Sequence, residues 1–185
     1  RNLTEEQERE NKTWQTGKVL ELLNGMPVIQ LMVEGIEADD IIAYVSQHEK
    51  YKGWEQIIVS SDKDFFQLCT GLTTVYRPIQ KKLMTHANIT EEHGIHPTNF
   101  ALARSMVGDK SDNIIGIPRI GLKTVAKNFP FLREDKSATI DDLMDHCNAM
   151  PKKSKAIASI LENRSLIEEN YSLMQLYVPD ISPIA

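Results

Sequence analysis

The sequence predicts an α/β fold, with a parallel, helix-covered sheet in its first half and a helical second half. Three observations carry that expectation. Apolar segments of strand length alternate with amphipathic segments of helical spacing between residues 28 and 69, a β-α-β-α rhythm that builds parallel sheets with ligands at their carboxyl edge. Strand signals then stop near residue 85, and everything from Asn88 onward has helical spacing with polar turns. With 185 residues, 41% hydrophobic and 25% charged, the chain can bury one sizeable core, or one core with a small helical appendage.

The elements follow in order. Residues 4–24 carry Trp14, Val19, Leu20, Leu22 and Leu23 in a polar background, the pattern of a helix whose later half packs on a core, and Gly25 ends it. Met26-Pro27 leads into Val28-Ile29-Gln30-Leu31-Met32-Val33, read as a strand, and Glu34-Gly35 turns the chain. The next helix starts near Glu37, because Ala38, Ile41, Ile42 and Val45 fall at i, i+3, i+4 and i+7 and make one apolar stripe. Ile57-Ile58-Val59 reads as a short buried strand, followed by a helix over about residues 63–69. Residues 73–78 and 82–85 pair as a hairpin. Pro97 opens a helix with Phe100, Ala103 and Met106 on its inner side and Gly108 at its stop. Two or three more helices are expected over residues 138–176, where Lys152, Lys153 and Lys155 read first as a solvated helix start and only second as a phosphate contact.

The net charge of -5 argues against a polyanionic partner, yet between residues 101 and 130 Arg104, Lys110, Arg119, Lys123 and Lys127 face only Asp109 and Asp112. That segment is locally basic, so charge leaves the question open. Apolar runs such as 28–33 and 57–59 are too short to span a bilayer, and no charged-then-apolar leader opens the chain, so no membrane association is expected. Cys69 and Cys147 stand far apart without a metal-ligand spacing, which points to inert thiols and a reducing cytoplasm. The five histidines, at positions 48, 86, 93, 96 and 146, show no ligand spacing and are expected at the surface or in caps.

Three acidic strings hold the chemistry: Glu37-Ala38-Asp39-Asp40, Ser61-Asp62-Lys63-Asp64 and Gly108-Asp109-Lys110-Ser111-Asp112-Asn113. Singly, each has a plain explanation. Glu37 and Asp39 suit the first turn of a helix, and Ser61, Asp62 or Asp112 suits a cap. Asp109 fits less well, since it follows a helix C-terminus, where the dipole disfavours negative charge. If the topology brings the three strings together, as many as seven acids share one crevice and cannot all stay ionised without cations. Hard oxygen ligands select Mg or Mn, and two such ions ~4 Å apart favour in-line phosphodiester hydrolysis. Downstream, Gly116 and Gly121 permit a tight, closely approached turn, and Lys123 and Lys127 lie one helical turn apart along a phosphate track.

In this combination and order the chain resembles the flap endonuclease and 5'-3' exonuclease family of bacteria and phages, over residues 28–129. The resemblance implies a PIN-like parallel-sheet core over residues 1–87 and a helical duplex-binding domain over 88–185, with a helix-three-turn-helix at about 105–129. It implies a structure-specific 5' nuclease of replication or repair, with Glu37, Asp39 and Asp62 at a first Mg2+ or Mn2+ ion and Asp64, Asp109 and Asp112 at a second. Asp40 then stands behind these ligands, and Gly116, Ile117, Arg119, Gly121, Lys123, Thr124 and Lys127 hold DNA, with potassium at the turn as in several members. The implied partners are a 5' flap or 5'-end duplex, RNA-DNA hybrids and replication proteins; the expected state is a monomer in the cytoplasm, or in the host's if phage-encoded. Members of the family begin with two Asp-bearing strands and a basic arch, of which Arg1-Asn2 resembles the tail. The core is therefore expected to be N-terminally truncated, and hydrolysis by these 185 residues alone to be weak or silent. A catalytically incomplete duplex-binding module, and a phosphatase or ribonuclease of another α/β family, stay open as alternatives.

Overall fold

The computed structural model describes residues 4–177. Arg1 and Asn2, the expected arch tail, lie outside the described residues. The chain forms two compact units, residues 1–36 and 37–185.

In the first unit, α1 (Glu5–Asn24) opens with a capping box between Thr4 and Gln7, and Glu5, Glu6 and Glu8 meet the positive end of its dipole. Gly25 caps it, as expected. No residue of α1 is buried, and Trp14 and Leu22 are exposed, so the expected packing of its later half is not observed. Residues 28–33 form no strand either. An apolar run becomes a strand only by finding a ladder partner, and the sheet of the described residues comprises other segments.

The second unit begins with α2 (Ala38–Gln47), at whose amino end Glu37 sits in extended conformation. Only Ala43 of this helix is fully buried, and Ala38, placed in the apolar stripe by its spacing, is exposed. The sheet order is β1 (Gln56–Val59), β2 (Thr73–Arg77), β3 (Lys82–Met84). β1 and β2 run parallel with Ile58 opposite Val75, and β2 and β3 form the expected hairpin with Val75 opposite Met84. The sheet is thus mixed where a parallel one was expected. β1 is an edge strand with one covered face, which is why Ile58 is buried while Ile57 and Val59 are exposed, contrary to a buried reading of that run.

Between β1 and β2 the expected helix is a 3-10 segment, Asp64–Leu68. Phe65, Phe66, Gln67, Leu68 and Cys69 are all buried in succession, an arrangement that no amphipathic α-helix provides. Gln67 is satisfied in the core: its Nε2 donates to Met174 O at 3.0 Å and its Oε1 accepts from Leu176 N at 2.7 Å.

The helical half follows: α3 (His86–His93), α4 (Phe100–Val107), α5 (Leu122–Asn128), α6 (Ile140–Ala149), α7 (Lys155–Glu162) and α8 (Arg164–Met174). Pro97 opens a 3-10 turn that runs directly into α4, and Phe100, Ala103 and Met106 face inward as their spacing requires. α4 lies centrally, packed on α5, α8 and the 3-10 segment after β1. Asn99, fully buried, fixes the connection between α5 and α6: its Nδ2 reaches the carbonyls of Leu132, Glu134 and Lys136, and its Oδ1 accepts from Ala138 N at 2.9 Å.

Cys69 and Cys147 are buried free thiols. His48 and His96 cap backbone amides, but His93 and His146 are packing residues. His93 lies against Phe66 and Phe100, where burial lowers its pKa and favours the uncharged ring, and His146 lies against Phe129 and Phe131. No helix among the described residues is long and apolar enough to cross a membrane.

Candidate metal centre

Two loops, both in the second unit, build the site. The first leaves β1 at its carboxyl end. Asp62 N donates to Ser60 Oγ at 3.1 Å, and Asp64 N donates to Asp62 Oδ1 at 2.9 Å, so Asp62 does act as a local cap while remaining exposed. The turn presents the half-buried Asp64 carboxylate beside the end of α4.

The second loop leaves α4. Gly108 ends the helix at φ 73°, which its lack of a Cβ permits. Asp109 and Ile114 then exchange two backbone hydrogen bonds, of 2.9 and 2.7 Å, and Ile117 N returns to Met106 O at 2.9 Å. Gly108 and Gly116 pack backbone to backbone at this point: a Cβ on Gly116 would overlap Val107 C and O, and one on Gly108 would overlap Gly116 N. Asn170 of α8, buried, locks the loop from behind, donating to both Ser105 O and Ile115 O at 2.9 Å. Replacing Asn170 with Leu strands two carbonyls and is expected to cost about 2 kcal/mol. Urea denaturation should read the loss, together with faster exchange of the Ile117 amide; wild-type stability would contradict this clamping role.

Carboxylate oxygens of Asp64, Asp109 and Asp112 lie within 4.8 Å of one another. At that separation and an effective dielectric near 20, each pair of ionised groups repels by about 3 kcal/mol. Arg104, from the last turn of α4, relieves part of this: its Nε donates to Asp64 Oδ1 at 3.1 Å and its Nη2 to Asp109 Oδ2. The guanidinium side chain is only 11% exposed. Burial pushes the Asp64 carboxyl up to about 6, against the lowering pull of Arg104 and with Asp62 and Asp109 adding to the rise. Asp109 is held down to about 2, first by the Ser111 hydroxyl, then by the Ser111 amide and Arg104. Asp112 is raised by burial and by Asp109, Asp62 and Asp39. One guanidinium against three converging carboxylates leaves a net negative pocket of hard oxygen donors, which fits a divalent cation.

Glu37, Asp39 and Asp62 stand outside this three-carboxylate group. Glu37 makes no capping hydrogen bond, so the helix-cap explanation fails for its side chain. Asp40 is raised by burial and by Asp39 beside it.

Of the residues expected to hold DNA, Arg119, Lys123 and Lys127 are exposed, and Arg119 adopts φ 64°. Ile117 is 2% exposed, so its side chain belongs to the core and only its backbone borders the turn. Thr124 N closes the first turn of α5 on Gly121 O at 2.8 Å. Nothing lies within 4 Å of a Cβ placed on Gly121, which leaves its backbone open to close approach. Arg104, Ser111 and Asn170 are the site-building residues that the sequence did not single out; a charge placed on the inward half of an apolar helix was the one available signal for Arg104.

The sequence pattern of the 5'-3' exonuclease N-terminal resolvase-like domain matches residues 6–94. A 5'-3' exonuclease of Buchnera aphidicola from Schizaphis graminum is 39% identical over 106 residues, 57% of this chain and 37% of its own length. Its counterpart from Acyrthosiphon pisum is 30% identical over 165 residues, 87% of this chain and 57% of its own. The chain is thus similar in sequence to 5'-3' exonucleases. The chain spans under two thirds of those relatives, and 14% of the Thermus aquaticus thermostable DNA polymerase I that it matches at 35% identity. The fold agrees with that of the T5 D15 protein co-crystallised with metal ions, at a TM-score of 0.75 and 21% identity over 95% of this chain and 65% of that one. It agrees equally with the T5 D15 flap endonuclease pseudo-enzyme-product complex with DNA and metal ions, at a TM-score of 0.76 and 21% identity, covering 95% and 63%.

Proposed function

We propose that this chain forms the metal-binding and duplex-holding part of a structure-specific 5' nuclease, a 5'-3' exonuclease or flap endonuclease acting in DNA replication or repair. The convergence of Asp64, Asp109 and Asp112 carries this reading. These three would hold one divalent ion, Mg2+ or Mn2+, and Glu37, Asp39 and Asp62, backed by Asp40, would serve a second. Such ions supply Lewis-acid activation of water and neutralise charge on the scissile phosphate. The chain's own residues do the positioning: Arg104 holds Asp64 and Asp109 at a fixed separation, and Ser111 keeps Asp109 ionised.

Gly121, with its open backbone, and Lys123 and Lys127 on α5 would carry phosphates of the duplex without reading bases. A potassium ion at the 116–121 turn belongs to the same reading, as does a division into a nuclease core to about residue 87 and a helical duplex-binding part from 88. The proposed substrates are 5' flaps and 5'-end duplexes, including RNA-DNA hybrids, bound by a cytoplasmic monomer that works beside replication proteins.

The test is incubation with Mg2+ and a labelled 5'-flap duplex, using this chain and a version carrying a relative's preceding segment. Cleavage that Asp64→Asn abolishes while duplex affinity stays nearly intact is the expected result. Equal loss of both would contradict a metal role for Asp64. Salt-sensitive binding without cleavage by either version would establish a binding module instead, and cleavage of RNA hairpins but not flaps would point to another hydrolase family.

A further inference from the structure

A groove of about 510 Å³ runs between the turn at Pro118, Arg119 and Ile120 and the first turns of α7, where Lys155, Ala156 and Ser159 line it. Two cations, a hydroxyl and small apolar surface form its walls, with no carboxylate among them. The charge pattern around it is sharply segregated. Residues 113–133 and 146–161 contain no Asp or Glu, although the chain has 26 of them, and these two tracts hold seven of its 21 Lys and Arg: Arg119, Lys123, Lys127, Arg133, Lys152, Lys153 and Lys155. All seven are exposed, and none forms an ion pair with a described residue. Residues 134–145, between the tracts, carry five acids. The fold therefore brings two acid-free tracts together at the groove although an acidic stretch divides them in sequence.

We propose that this groove is a second docking strip for the phosphodiester backbone of duplex nucleic acid, continuing the track of Lys123 and Lys127 across to Lys155 and its neighbours Lys152 and Lys153. The proposal rests on the duplex-holding reading given above. Three features favour a polyanionic backbone over a single small anion. The groove is open and lies between two elements. Its cations stand on opposite walls. Arg119 also precedes the Lys123 helix directly in the chain, so one continuous strand of phosphates can meet both sets. Arg119 adopts a left-handed backbone, unusual for a residue with a Cβ, and places a cation at the groove's rim.

The experiment measures duplex DNA binding by the full chain through fluorescence anisotropy between about 50 and 200 mM salt. The triple variant Lys152→Ala, Lys153→Ala, Lys155→Ala is expected to bind roughly tenfold more weakly, with the slope of log affinity against log salt reduced by about 2. The single variant Lys155→Glu should weaken binding further than Lys155→Ala, whatever the duplex sequence. The paired variant Lys123→Ala, Lys127→Ala separates the two readings. If it weakens binding while the groove variants leave affinity and salt slope unchanged, the groove proposal alone falls. If neither set has an effect, or the unaltered chain binds no duplex, the duplex-holding reading falls with it.

Discussion

Gly116→Ala is expected to remove at least about 3 kcal/mol of stability and to abolish metal binding with it. The added methyl would fall on the Val107 carbonyl, and both sides of the clash are backbone, so no rotamer change can relieve it. The end of α4 and the loop after it would have to separate. That costs the Ile117–Met106 hydrogen bond and the Asn170 clamp on Ile115, and it carries Asp109 away from Asp64. Gly108→Ala should behave alike, since its Cβ would meet Gly116 N and its φ of 73° is left-handed. Gly121→Ala is the contrasting case. Its backbone at φ -126° accepts any residue and its surroundings are open, so stability should stay within about 0.5 kcal/mol of wild type. Urea denaturation of the three variants decides the matter. A Gly116→Ala protein as stable as wild type would show that the close approach is not essential.

Arg104→Met should be nearly as severe, and unlike the glycine changes it should be reversible. In the presence of a chelator the variant leaves Asp64, Asp109 and Asp112 without their buried cation, and the expected loss is about 3 to 5 kcal/mol. Divalent ions can replace the missing charge. The melting temperature of the variant should therefore rise more steeply with Mg2+ or Mn2+ concentration than that of the wild type, as linkage requires for a ligand that binds only the folded state. Equal destabilisation with and without ions, at an unchanged dependence on their concentration, would make Arg104 a packing residue only.

How far the sequence was readable depended on whether a residue's role was local. α4 announced itself through Pro97 before it, Gly108 after it and three inward positions at helical spacing, all of which act within a turn or two of chain. The β2–β3 hairpin was legible for the same reason. Residues 28–33 were not, because a strand is made by its partner and not by its own composition. Ile57 and Val59 misled in a related way: the same three-residue run serves a central or an edge strand, and only the sheet order distinguishes them. At the site, joint occurrence of acidic strings pointed to a shared crevice of as many as seven acids, and the family resemblance implied the particular set of Asp64, Asp109 and Asp112 that the structure brings together. Arg104 reaches Asp64, 40 positions away, as well as nearby Asp109, and Asn170 acts on partners 55 and 65 positions away; the charge on the inward side of an apolar helix was the one sign of Arg104, and no local pattern marks Asn170.

The backbone clasp between Gly108 and Gly116 has a consequence for where a bound strand can sit. Ile114 is tied to Asp109, and Ile117 to Met106, so only two residues, Ile115 and Gly116, separate the carboxylate loop from the turn that leads to Gly121. The interval from the carboxylates to the 116–121 turn is thereby ruled off in main-chain units, with no long side chain to stretch or retract. If α5 holds a duplex as proposed, substitutions along it should alter how firmly the duplex is held without altering the position at which it is presented to the carboxylates. On the proposed reading, moving that position would require an inserted or deleted residue between 114 and 117, so the register of cleavage would be set by chain length at a single short tether.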